Sequence, residues 1–89
     1  MQLTDEDRRL LRWLVEEIKK RRLGPEFIVL WTATGAVLPT HKGPRSAMPE
    51  TLTKERFTRF LEADLIVQRT LPHGGWQCVL RKNAYCTVM

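Results

Sequence analysis

Four histidine and cysteine side chains in this sequence carry the atoms of a zinc site: His41, His73, Cys78 and Cys86. Their spacing matches no common zinc finger, and neither cysteine sits in a CxxC pair, so no metal and no cofactor is expected. Alternation with Trp76 and Leu80 instead places Cys78 on the buried face of a strand. Two cysteines cannot build the disulfide framework of a small secreted domain, so both are expected as reduced thiols in a cytoplasmic protein. Catalysis fares no better. The sequence has no glycine-rich phosphate loop, no nucleophile elbow, and no carboxylate or histidine pair whose spacing forces it into one site, so it reads as a non-enzyme.

The remaining chemistry is charge. Eighty-nine residues carry a net charge of +5 and an isoelectric point near 9.8, a balance that suits a polyanionic partner. The richest positive excess lies after Thr53, where a helical pattern sets Glu55, Arg56, Arg59 and Glu62 on its outward arc with Lys54 and Thr58 at the flanks, and Arg69, His73, Arg81 and Lys82 follow. Glu55 with Arg59 at i, i+4 and Arg59 with Glu62 at i, i+3 could also neutralise one another as an ordinary solvated face. Trp76, beside Gly74 and Gly75, can stack on a base or close the core.

These residues must be positioned by a small set of elements. Residues 4–23 predict a long amphipathic helix. Thr4 and Asp7 form a capping-box-like start, acidic residues fill the first turn, basic residues fill the last, and Gly24-Pro25 follows. Leu11, Leu14, Val15 and Ile18 form its apolar stripe, widened by Leu10 and Trp13. That surplus of apolar surface makes Leu10, Trp13 and Leu14 the expected interface of a homodimer, unless the rest of the chain covers them. Residues 26–34 read either as a short helix after Pro25 or as strands Phe27–Thr32 and Ala36–Leu38 turning at Thr34-Gly35; the overall pattern favours the helix. His41–Pro49 is a loop or at most a turn of helix. From Thr53 the positions Phe57, Phe60, Leu61 and Leu65 mark a second amphipathic helix. LIVQRTL and WQCVLRK, separated by Pro72-His73-Gly74-Gly75, predict a β-hairpin. No stretch is long and apolar enough to cross a membrane.

Residues 25–85 resemble the winged helix-turn-helix family: a helix with FIVLW, a short connector helix around SAMPETL, a recognition-type helix TKERFTRFLEADLI, a strand LIVQR, a wing at LPHGG and a returning strand WQCVLRK. The resemblance implies a small α+β winged-helix-like single domain spanning 1–89 and a DNA-binding transcriptional regulator. Lys54, Arg56, Thr58 and Arg59 would then enter the major groove, while Arg69, His73, Arg81 and Lys82 would hold the wing on the backbone. The chain departs from the family where HKGPRSAMPE stands in place of a full second helix. A reading from a different class is a protein-interaction module that offers its basic face, or an exposed Trp13 and Trp31, to the acidic surface of a larger complex such as a polymerase.

Overall fold

A computed structural model describes residues 3–43, 48–72 and 74–88. The first helix, α1, spans Asp5–Lys19. Its start follows from side-chain chemistry. The Thr4 hydroxyl accepts from the Asp7 N–H at 3.0 Å and the Asp7 carboxylate accepts from the Thr4 N–H at 3.1 Å, so two amides without an intrahelical partner are satisfied reciprocally. The helix closes earlier than residues 4–23 suggested. Arg21 turns left-handed at φ 61°, and the amides of Arg22 and Leu23 both donate to the Glu17 carbonyl at 3.0 and 3.2 Å. The left-handed turn expected at Gly24 thus falls three residues sooner, on a residue with a Cβ.

After Gly24 the chain enters β1, Glu26–Thr32, and returns in β2, Gly35–Val37. This corrects the helical reading of 26–34. The alternation decides the matter: Phe27 and Val29 point into the core while Glu26 and Leu30 stay exposed, a period of two that a helix cannot provide. Gly35 makes the reversal at φ 128°, with the Thr32 hydroxyl donating to its carbonyl at 2.7 Å. No helix occupies 48–53; instead the Leu52 carbonyl accepts from the Ala36 amide at 2.9 Å and ties this extended segment to β2. Residues 44–47 of the expected connector lie outside the described residues.

The second helix, α2, spans Lys54–Glu62, with the Thr53 hydroxyl as its cap. Phe57 and Phe60 are its buried anchors, each contributing on the order of 2–3 kcal/mol by leaving water. The hairpin then forms as the turn chemistry predicts. β3 spans Ile66–Thr70 and β4 spans Trp76–Leu80, joined by a loop in which Gly74 sits at φ 88°. The returning strand stops at Leu80, and Lys82–Val88 forms a third helix, α3, where the sequence suggested continued strand through Lys82.

The result is an α+β domain with one antiparallel sheet in the order β2-β1-β4-β3. The central pair is β1 with β4, in a register that sets Phe27 opposite Cys78 and Val29 opposite Trp76. Phe27, Val29, Ile66, Cys78 and Leu80 join Leu10, Leu11 and Leu14 of α1, Phe57 and Phe60 of α2, and Ala84 of α3 in one core cluster. Every buried sheet residue therefore comes from one face. The opposite face carries Leu30, Val67 and Val79, exposed by 41, 45 and 37%.

Candidate nucleic-acid interface

The expected DNA-reading arc of α2 is organised around a carboxylate that periodicity places far from it. Asp7, the third residue of α1, is fully buried. It accepts from Arg59 Nε at Oδ2, 2.5 Å, and from Arg59 Nη2 at Oδ1, 2.8 Å, while Arg56 Nε lies 3.3 Å from that same Oδ1. Arg56 also donates to the Thr51 carbonyl at 2.7 Å. The Arg59 hydrogen bonds hold the Asp7 carboxyl below the usual carboxylate range against the opposing effect of burial, and the same pair raises the Arg59 guanidinium above its ordinary value. Burial of a charge is tolerated here because two guanidinium groups and a backbone amide satisfy it. The two arginines are therefore turned onto α1, not away from the molecule. Sequence reasoning paired Arg59 locally with Glu55 and Glu62; its bonded partner lies 52 positions away.

What α2 leaves to solvent is Lys54, Glu55, Thr58 and Glu62. The Lys54 ammonium lies 5.9 Å from the Trp31 ring centre, and the Thr58 hydroxyl turns back to the Lys54 carbonyl at 2.8 Å. Two carboxylates and one cation make a poor phosphate-facing surface. Among the wing residues, Arg69 is exposed, Arg81 lies 3.2 Å from the Asp64 carboxylate, Lys82 opens α3, and His73 lies outside the described residues. The two tryptophans named as contact residues are packed. Trp13 sits with its ring centre 5.0 Å from that of His41, and Trp31 stands edge-on to Phe57 and Trp76. Leu10 and Leu14 of the expected dimer interface are wholly buried in this chain's own core, so they offer no surface to a second chain.

A denser basic surface lies at the far end of α1. Lys20, Arg21 and Arg22 are exposed, and Lys42 is exposed beside them, its amide donating to the Arg22 carbonyl at 2.8 Å. One carboxylate at this end, Glu17, faces inward. Glu17 is 3% exposed and accepts from His41 Nε2 at 2.7 Å, with Arg22 Nη1 at 3.8 Å. The Gly43 amide donates to His41 Nδ1 at 3.3 Å, so both ring nitrogens are occupied. His41 borders a cleft of about 430 Å³ that also includes Trp13, Met48 and Glu50, but its nitrogens are committed to holding the loop on α1. Nothing in the sequence signalled this pair, whose members are 24 positions apart.

Among the described residues no group of three or more His, Cys, Asp or Glu is arranged to hold a metal ion, and no helix is long and apolar enough to cross a membrane. No family model matches the chain, and no curated protein or solved structure is significantly similar to it.

Proposed function

We propose that this chain is a non-catalytic domain that binds duplex DNA, and that the basic end of α1 supplies the contact. One observation carries this reading: the exposed Lys20, Arg21 and Arg22 are tied to the exposed Lys42 by a backbone hydrogen bond, and Glu17, 3.8 Å from Arg22, is buried and shared with His41. Exposed cations gathered this way gain free energy by releasing counterions condensed on a nucleic acid. In this reading α2 with the β3-β4 hairpin is the winged-helix-like half of the domain, with Lys82 as a secondary phosphate contact. Arg56 and Arg59 have a structural role in it. The chain regulates by occupying DNA, with no reaction of its own.

Fluorescence anisotropy with a short labelled duplex across a salt series tests this. Binding should weaken steeply with salt, and the variant Lys20→Ala/Arg21→Gly/Lys42→Ala should lower the log-log slope by about 2.7, or about 0.9 for each of three phosphate contacts. Glycine is chosen at 21 because that position is left-handed. An unchanged slope in the triple variant, or no duplex binding at low salt, overturns the proposal. In the latter case the same cluster would serve the acidic surface of a protein partner.

A further inference from the structure

The sheet's open face is the largest feature that the DNA reading leaves unused. By register, Val67, Val79 and Glu26 form one row across β3, β4 and β1, and Arg69, Gln77 and Ile28 form the next. Beyond them Leu30 stands opposite Val37 of β2. Leu30 lies flat over Gly75, where an added Cβ would come within 2.8 Å of Leu30 Cδ2. The face is thus aliphatic and smooth, and it presents one carboxylate and one guanidinium. Glu26 is held in place by Gln77 Nε2, which donates to it at 3.1 Å. Arg69 has no ion-pair partner among the described residues.

The arrangement excludes two kinds of partner. A nucleic acid would find a single cation beside Glu26 and no exposed aromatic ring, and an acidic protein would meet the same carboxylate. It does fit itself. The face has no net charge, and its two charges lie on β1 and β3, on either side of β4. A two-fold axis lying between two such faces, close to the line of β4, lays β1 of each copy over β3 of the other. At the crossing of about 30° usual for stacked sheets, this brings Glu26 within an arginine's reach of the Arg69 of a second copy. The same operation sets Val79 against its own counterpart and Val67 over the Glu26 stem of the other copy. We infer that the open sheet face pairs two copies of this chain into a symmetric face-to-face dimer, closed at both ends by Glu26 and Arg69 exchanged between copies. This inference is independent of the DNA reading.

Sedimentation equilibrium of the full chain over a concentration series tests it. The wild type should show a monomer-dimer equilibrium, and Val79→Glu, which inserts a charge at the centre, should sediment as a monomer. Glu26→Arg alone and Arg69→Glu alone should each weaken the dimer by about tenfold or more, since the symmetry repeats every repulsion twice. The double variant Glu26→Arg/Arg69→Glu should restore association to within about threefold of wild type. Circular dichroism confirms that each variant is folded. A wild type that stays monomeric at hundreds of micromolar overturns the inference, as does a dimer indifferent to Val79→Glu or a double variant no better than the singles.

Discussion

Replacing Asp7 with alanine tests whether the α1-α2 ion pair holds the fold together. The substitution removes hydrogen bonds to Arg59 at 2.5 and 2.8 Å, a longer contact to Arg56, and the Asp7 half of the α1 cap. Hydrogen bonds to a charged group contribute about 1.5–3 kcal/mol each. The Arg59 and Arg56 side chains are 24 and 21% exposed, so they regain water once the carboxylate is gone. That recovery reduces the net loss from the paired carboxylate to roughly 2 kcal/mol, and the cap adds about 1 kcal/mol. The total of about 3 kcal/mol is large against the roughly 5–13 kcal/mol expected for a chain of this length. It should lower the Tm by about 12–24 °C when unfolding is followed by circular dichroism. A loss smaller than about 1 kcal/mol in urea titrations would refute the reasoning, because it would mean that the arginines gain as much from water as from Asp7. The effect should also depend on pH. Because the folded carboxyl is held below its ordinary range, its contribution is fully present above the unfolded pKa of about 3.9 and is lost as pH falls through the lower folded value. The difference between wild type and Asp7→Ala should therefore narrow as the buffer is taken from pH 5 toward pH 2.

Two further outcomes are expected. Burial pushes the Cys78 thiol up to about 12 whereas Cys86 is exposed, so Ellman's reagent should titrate one thiol rapidly in the native protein and the second only on unfolding; two fast thiols would contradict the buried position of Cys78. Gly35→Ala should destabilise more than Gly74→Ala, by about 2 kcal/mol or more against about 1 kcal/mol, because both sit at positive φ but only at Gly35 does the new methyl meet Thr51 Cγ2 at 2.6 Å and the Leu52 carbonyl at 3.3 Å. Equal losses in urea titrations would place the cost in the backbone conformation alone.

How far each element could be read from sequence depended on how local its cause is. The capping box of Thr4 and Asp7, the apolar positions of α2 and the Gly-Gly hairpin turn are all decided within a few residues, and they appear where the pattern placed them. Residues 26–32 were ambiguous because a short apolar run satisfies both periods; pairing with β4, contributed from the far end of the chain, settles them as a strand. The candidate site was least legible. Arg56 and Arg59 look solvent-facing on a helical wheel, and only the docking of α1 reveals that a buried carboxylate waits between them. On sequence alone Leu10 and Leu14 look like surplus apolar surface, because the core they join is assembled from elements distant in the chain.

The strand order has a consequence for how the molecule comes into being. The middle of the sheet joins β1 to β4, and the Gln77-Glu26 bond across that seam spans 51 positions. While the ribosome is still making β3 and β4, α1 and the first hairpin lack their central neighbour strand. The nascent N-terminal half thus carries an apolar helix and a naked strand edge until Leu80 emerges. Folding therefore begins as a late, all-or-none closure, slow for so small a chain. Until then it is the nascent chain, more than the finished protein, that is exposed to aggregation and proteolysis.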